Sequence, residues 1–407
     1  MGRMDRSKLN IGVYYLAPYA RTEAHIRELS ECGVDMVVNV QHDIRVLDLF
    51  HKYHIGAIVT GILPGWFGGD GTNAGTMSKV NTMDKYIEAS GNFTDHPAIW
   101  GIDTGDEPSG KDFEHYGRVF EWVKSLFPNQ FPYLNIYPSY GLNGKNSSQE
   151  IFKQLGTETY SDYIEMFCRS VKADYICFDY YLYSANLKGA YESLSVVSEA
   201  CRRTGRSFWI VLQVNSHQPD KWISEQQLRY QSNMALAFGA ETILWACYTA
   251  GWWHNHVLDK KGEKTQQYDK LKKVNSELLI LDKEYRKYRH IATHFVGDFG
   301  EDGLSADGIS LLEVLNTKIF FDVKADGGRR LLIGHMEKKT DVNNEALWIC
   351  AADDPYDEHM EEYQISFRVK NENVIIFGCE GEIPFTLRED GSYVFTIHSC
   401  EGVLLTV

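Results

Sequence analysis

The 407-residue sequence lacks any stretch approaching the roughly 18 uninterrupted apolar residues that a membrane-spanning helix requires, so no membrane partner is expected. Its opening residues, Met-Gly-Arg-Met-Asp-Arg-Ser-Lys, contain no apolar segment of a secretory leader, which makes a cytoplasmic setting the expectation. Basic residues are outnumbered: 41 Lys and Arg stand against 56 Asp and Glu, a formal net charge of −15. Phosphate backbones call for a concentrated basic footprint, so nucleic acid is not an expected partner. The eight cysteines include no Cys-x-x-Cys pair, and Cys177 and Cys247 lie inside apolar runs, where a thiol acts as a small hydrophobe. Reduced thiols fit that usage. Gly-x-x-x-x-Gly-Lys-[Ser/Thr], Gly-x-Ser-x-Gly and His-Glu-x-x-His are missing, which argues against P-loop, α/β-hydrolase and zincin chemistry. His254 and His256, two residues apart with no third ligand close by, make a poor metal motif. No cofactor and no metal is expected.

Aromatic residues, by contrast, are plentiful. Nine Trp, 24 Tyr and 20 Phe make up 13% of the chain, and several fall in segments that read as loops: Trp66-Phe67, Tyr180-Tyr181 and Trp252-Trp253. Most must fill a core. Those beside loop glycines and asparagines suit the apolar C–H faces of sugar rings, which stack on an aromatic face while their hydroxyls bond sideways.

From residue 10 to about 290, short apolar runs alternate with amphipathic stretches. The runs are 11–16, 36–40, 56–60, 99–102, 133–137, 175–178, 208–212 and 242–246, and their β-branched and aromatic content predicts buried parallel strands. Between them, Thr22 opens a helix that Gly33 ends, residues 113–127 carry an apolar stripe at helical spacing, and residues 224–239 form a further helix. Eight strand-helix repeats predict a (β/α)8 barrel over 1–290. An open doubly wound sheet is the rival, but the Gly-x-Gly-x-x-Gly turn after the first strand is missing. The helix 267–289 leads into 291–407, where short strand-like runs separated by turn clusters predict an antiparallel β-sandwich.

In such a barrel the site lies where the strands end. Strand 4 ends in Asp103-Thr-Gly-Asp-Glu-Pro108, strand 5 in Asn135-Ile-Tyr-Pro, strand 6 in Asp179-Tyr-Tyr, strand 7 in Gln213 and strand 8 in Tyr248 followed by Trp252-Trp253-His254. Glu107 is the strongest single candidate. A carboxyl among aromatic walls has its charged form disfavoured, which lifts its pKa toward the range a general acid needs. Capping of the following helix is the competing role for Asp106 and Glu107.

The segment 96–108, His-Pro-Ala-Ile-Trp-Gly-Ile-Asp-Thr-Gly-Asp-Glu-Pro, resembles the fourth strand of clan-A (β/α)8 glycoside hydrolases. Asn135-Ile-Tyr-Pro, Asp179-Tyr-Tyr and residues 238–248 are similar to the fifth, sixth and eighth strands of proteins related to the family 42 β-galactosidases, which also carry a C-terminal β-domain. The resemblance implies a glycoside hydrolase with Glu107 as acid/base, and names a clan rather than a substrate; a small or chain-end β-linked sugar is the leading expectation. Asn135, Tyr137, Tyr181, Gln213 and Tyr248 are then expected to line the first subsite, with Asp106, Trp66, Trp252, Trp253 and His254 as further substrate-binding candidates. An oligosaccharide or glycoside is then the partner, and a homo-oligomer is compatible.

The clan's second glutamate, the nucleophile at the end of strand 7, is replaced here by Gln213. An amide neither attacks an anomeric carbon well nor stabilises an oxocarbenium ion by charge. Asp179 is the substitute carboxylate, as nucleophile or as base for water, with separations from Glu107 of about 5.5 Å expected for retention and about 6.5–9.5 Å for inversion. A bracing role for Asp179 competes with catalysis, and Asp220 is a second substitute if strand 7 is shifted. A barrel that binds sugar without cleaving it is the alternative function; a lyase or isomerase is a third.

Overall fold

The computed structural model describes residues 3–65, 74–139, 154–299, 311–353, 355–356, 360–370 and 373–407. The chain forms two compact units, one of Met1–Arg6, Asn10–Trp222 and Thr242–Tyr268, the other of Ser7–Leu9, Ile223–Glu241 and Asp269–Val407.

The first unit holds eight parallel strands: β1 (Asn10–Tyr14), β2 (Met36–Gln41), β3 (Gly56–Thr60), β4 (Ile99–Asp106), β5 (Phe131–Asn135), β6 (Tyr175–Tyr180), β7 (Ser207–Gln213) and β8 (Thr242–Ala246). Their order is β5-β4-β3-β2-β1-β8-β7-β6. A parallel bridge between Ile136 and Phe178 joins β5 to β6, and Ile136 N donates to Cys177 O at 2.8 Å. The sheet thus closes on itself as a (β/α)8 barrel. Helices alternate with the strands as predicted. Thr22 caps Glu23–Glu31 through its hydroxyl, and the stripe on Phe113–Leu126 buries Phe113, Tyr116, Val119, Phe120 and Val123.

Register decides what points into the barrel. In β4 and β5, Gly101 pairs with Phe131, Asp103 with Tyr133 and Asp106 with Asn135. Parallel partners in register share a face, and Phe131 and Tyr133 belong to the interior cluster with Tyr175, Cys177, Trp209, Val211 and Leu244. The interior of β4 therefore carries Gly101, Asp103 and Asp106. Low in the barrel Tyr175 stacks on Trp209 (centroids 4.3 Å, 20°), with Phe131 edge-on to the same indole at 5.6 Å. Gly101 leaves that ring its room, since a Cβ there would stand 2.8 Å from Phe131. Above the aromatic layer the interior turns polar, with Asp103, Asp106, Asn135, Asp179 and Gln213.

The second unit is an antiparallel β-sandwich with two helices. Its strands are β9 (Tyr288–Val296), β10 (Leu311–Leu312), β11 (Phe320–Ala325), β12 (Leu331–Lys338), β13 (Asp341–Ala351), β14 (Glu362–Val369), β15 (Ile375–Gly378), β16 (Gly381–Glu382), β17 (Thr386–Leu387), β18 (Tyr393–His398) and β19 (Gly402–Thr406). They form sheets ordered β10-β9-β12-β13-β19-β15-β16 and β11-β14-β18-β17. One core, including Leu331, Ile333, Leu347, Ile349, Tyr363, Ile365, Phe367, Phe395 and Leu405, lies between them. The pairing is antiparallel apart from β9 with β10.

The division expected at residue 290 falls inside β9, and the helices Glu225–Ala237 and Gln266–Tyr285 run, wholly or for most of their length, with the β-unit. Hydrogen bonds explain the grouping. Asn233 Nδ2 donates to Cys400 O (2.9 Å), Trp348 Nε1 to Asn233 O (3.1 Å) and Tyr285 OH to Leu236 O (2.9 Å).

Candidate active site

The Asp-Glu-Pro turn is held by three elements at once. Glu107 adopts a left-handed φ of 45°, immediately after β4, and its amide donates to Asn135 O at 2.9 Å. A non-glycine residue in that region is uncommon and persists where its surroundings fix it. The fixing group is Tyr163, on the helix Tyr160–Ser170. Its hydroxyl donates to Pro108 O (2.7 Å) and accepts from Tyr137 N (3.2 Å), tying the end of β4 to the segment after β5.

Glu107 is 9% exposed, and its carboxyl is hydrogen-bonded to Tyr137 and to Asp179. Asn135 lies behind the pair. Its Nδ2 donates to Asp179 Oδ1 at 2.7 Å and also bonds Asp106, while its Oδ1 accepts from Cys177 Sγ at 3.4 Å. The thiol is 3.4 Å from Tyr133 OH, which in turn hydrogen-bonds Tyr14 OH. A continuous polar chain therefore rises from the aromatic layer to the carboxyls.

Four carboxyls share this region. Asp103 accepts from Gly105 N at 3.1 Å and is hydrogen-bonded to Thr60 at the end of β3. Asp103 and Asp106 are crowded by protein yet keep exposed surface, as side chains facing a recess do. Asp106 Oδ1 is buried and has no hydrogen-bond partner among the described residues. None of the four forms an ion pair with a described Lys or Arg.

The electrostatic result is a set of reluctant anions. Burial, then the charge of Asp106, lifts Asp103 to about 7. Burial lifts Asp106 to about 6 against the pull of Asn135. Asp179 rises to about 7 through burial and Asp106, with the Asn135 and Glu107 bonds opposing. Glu107 is raised well above the ordinary carboxylate range by burial and by the charges of Asp179 and Asp106, with the Tyr137 bond acting the other way. Like charges this close cannot all ionise, so the cluster retains protons, and burial favours the protonated form of Glu107.

Gln213 is fully buried and its amide is occupied. Oε1 accepts from Tyr183 N (2.9 Å), and Nε2 donates to Ser184 Oγ (3.1 Å) and Asn215 O (3.0 Å). It braces the turn after β6 instead of lining the recess, which corrects the subsite role expected for it. Tyr248 needs the same correction. It is fully buried with Cys32, Tyr268 and Glu28 as neighbours, on the helix side of the barrel wall.

Tyr181 packs edge-on against Trp253 (4.8 Å), and Trp253 against His217 (5.8 Å). Trp252 stands 6.4 Å from Tyr14. All three expected aromatics are half-buried, and His254 is exposed in a backbone bridge with Ser216. Asn215 secures this loop, donating to Trp252 O (2.7 Å) and accepting from Cys247 N (2.9 Å). Trp66 lies outside the described residues. Asp103, Thr60, Tyr163 and Asn215 were not singled out from sequence. For Asp103 a signal existed, because it closes the apolar run of strand 4.

No protein-family model matches the chain, and no curated protein sequence matches it. Among solved structures, a cycloisomaltooligosaccharide glucanotransferase of Paenibacillus sp., complexed with cycloisomaltoheptaose, is similar over 99% of this chain and 85% of its own, at TM-score 0.57 and 8% identity. A glucosidase from Croceicoccus marinus is similar over 98% and 95% (TM-score 0.43, 10% identity). A glycoside hydrolase family 5 mannosidase from Rhizomucor miehei is similar over 67% and 94% (TM-score 0.42, 11% identity). These neighbours are carbohydrate-active enzymes, and what the first of them shares with this chain is the fold.

Proposed function

We propose that the barrel is a glycoside hydrolase cleaving a small or chain-end β-linked sugar, with Glu107 as proton donor and Asp179 as the second carboxylate. The observation that carries this is the buried cluster of carboxyls at the strand ends, in a setting that favours the protonated form of Glu107. The direct hydrogen bond holds Glu107 and Asp179 closer than the roughly 5.5 Å of a retaining pair or the roughly 6.5–9.5 Å of an inverting one, so the two carboxyls must part when a glycoside enters. A general acid must hold its proton at working pH and lose it to the leaving group. The glycosidic oxygen would replace Asp179 as acceptor of the Glu107 proton. As the anomeric C–O bond breaks, the leaving oxygen keeps that proton. Asp179, ionised, either bonds to the anomeric carbon, giving a glycosyl ester that water hydrolyses with Glu107 as base, or takes a proton from the water whose oxygen bonds that carbon. Asp106, Asn135, Tyr137, Tyr181, Trp252 and Trp253 would line the first subsite, with His254 at its rim. The family 42 likeness of residues 96–108 belongs to this proposal.

Turnover of a panel of aryl β-glycosides by wild type, Glu107→Gln and Asp179→Asn tests it. Each variant should lose roughly 10²- to 10⁴-fold in kcat. Equal rates for wild type and Glu107→Gln would end the proposal. Gln213, an amide with no free valence where a nucleophile was expected, favours a second function: a barrel that binds sugar without cleaving it. Calorimetric sugar binding with no hydrolysis across the panel would select it.

A further inference from the structure

The carboxyls are more numerous than hydrolysis requires, and Asp103 has no part in the chemistry above. It hydrogen-bonds Thr60 at the end of β3, whereas the Glu107–Asp179 pair is braced by Asn135 and Tyr137 at the end of β5 and after it. In register its neighbours are Tyr133 on β5 and, through a hydrogen bond, Thr60 on β3. One Asp103 oxygen accepts from Gly105 N. Beside it stands the buried acceptor Asp106 Oδ1, for which no described residue supplies a donor. Buried acceptors are ordinarily paired, and a ligand donor is one way to satisfy such an atom. Sugar hydroxyls and amines donate; a carboxylate on a sugar does not. Nor does any described Lys or Arg pair with the four carboxyls, so no described cation beside them would offset a further negative charge.

We infer that Asp103, together with Thr60 and Asp106, is a specificity-determining residue that reads the hydroxyl edge of a terminal sugar carrying no acidic group. The inference rests on the glycosidase proposal for its location, and it adds the substrate class: non-acidic chain-end sugars are accepted and uronides are rejected. Above about pH 7, where Asp103 is ionised, a hydroxyl donating to it makes a charge-assisted bond stronger than one between neutral groups. A uronide would instead bring a further negative charge into a confined, weakly hydrated cluster of acids, where repulsion is poorly screened.

The experiment compares aryl hexosides with the matching aryl hexuronides, which differ only at C6, using wild type, Asp103→Asn and Thr60→Val. Wild type should prefer the neutral member by at least about 100-fold in kcat/KM. Asp103→Asn should lower kcat/KM for the hexoside roughly 10- to 100-fold, the usual range for losing one charged hydrogen bond. It should also narrow the hexoside-over-hexuronide ratio, and Thr60→Val should narrow it less. Circular dichroism and melting confirm that the variants fold; if Asp103→Asn does not fold, Thr60→Val decides. Wild-type preference for the hexuronide overturns the inference, as does an unchanged ratio in the deciding variant. If wild type cleaves neither member, the glycosidase proposal fails separately, and calorimetry decides this one. Binding of a neutral monosaccharide but not its uronic acid supports the inference. Equal or tighter binding of the uronic acid, or no binding of either, overturns it.

Discussion

Asn135 donates from Nδ2 to Asp179 Oδ1 across 2.7 Å, and Cys177 holds the other end of the same amide. A carboxylate that accepts such a bond is more readily ionised than its burial alone would allow. Asparagine thus separates the roles of two neighbouring acids: Asp179 is favoured as the anion and Glu107 as the acid. Replacing Asn135 by Leu, of similar volume, removes the donor. Asp179 should then hold its proton to higher pH, so the acid limb of the kcat/KM profile should move up by about one pH unit and activity at pH 7 should fall roughly 5-fold. A pH–rate series reads both. An acid limb that stays in place would take Asn135 out of this role.

Tyr163 should matter to catalysis without touching substrate. Its hydroxyl satisfies both Pro108 O and Tyr137 N, one on each side of Glu107. Tyr163→Phe leaves a buried carbonyl and a buried amide unpaired, at about 1–3 kcal/mol of stability. Freed from its clamp, the left-handed turn at Glu107 relaxes, and kcat should drop several-fold with little change in KM. Melting and steady-state kinetics check the two halves. A variant that is less stable but has wild-type kcat would make Tyr163 a packing residue only.

Asp103 should make the barrel less stable as pH rises. Its folded pKa of about 7 lies above the ordinary value near 3.8. Below about pH 4 both folded and unfolded chains carry the proton, and the aspartate costs nothing. Between about pH 4 and pH 7 the unfolded chain releases it while the folded chain retains it, so stability declines across that window. Three pKa units correspond to roughly 4 kcal/mol, but the side chain keeps solvent contact, so about 2 kcal/mol is the expected effect. Asp103→Asn keeps an acceptor for Gly105 N and removes the charge. Its Tm should match wild type near pH 4 and exceed it by roughly 4–8 °C at pH 8. Equal Tm values at both pH values would contradict the expectation.

The barrel was legible because six of its strands are almost wholly apolar, and the runs at 56–60 and 242–246 coincide with β3 and β8 to the residue. Strand β4 was read as ending at Ile102 but continues to Asp106. The interior positions of its upper half are aspartates, and periodicity of apolar residues carries no information where function has replaced them. Strand β9 was missed for a related reason. Its sequence Tyr-Arg-His-Ile-Ala-Thr-His-Phe-Val follows a charged helix and mixes polar with apolar side chains, so the domain boundary slid into it. Glu107, Asp179 and Asn135 were visible as polar residues ending apolar runs. Gln213 and Tyr248 satisfy the same rule, yet the Gln213 amide is taken up by the turn after β6 and Tyr248 faces the helix side. The direction of a residue after the last ladder pair depends on the turn that follows, and composition does not reveal that.

Close helix packing supplies a test remote from the carboxyls. Gly117, on the helix Phe113–Leu126, lies where a Cβ would stand 2.2 Å from Ser170 O, at the end of the helix bearing Tyr163. Backbone cannot rotate aside as a side chain can, so Gly117→Ala must push the two helices apart. Alanine's higher helix propensity returns up to about 1 kcal/mol, while overpacking of this kind costs roughly 1–3 kcal/mol. A net loss of about 1–2 kcal/mol is expected, seen as a lower denaturation midpoint at unchanged m-value. Moving the helix Tyr160–Ser170 also draws the Tyr163 hydroxyl away from Pro108 O, so kcat should fall in the same direction as for Tyr163→Phe. The double variant should then show less than the sum of the two kcat losses, because both act through one hydrogen bond. Additive losses would mean that the helix contact and the Glu107 turn are independent.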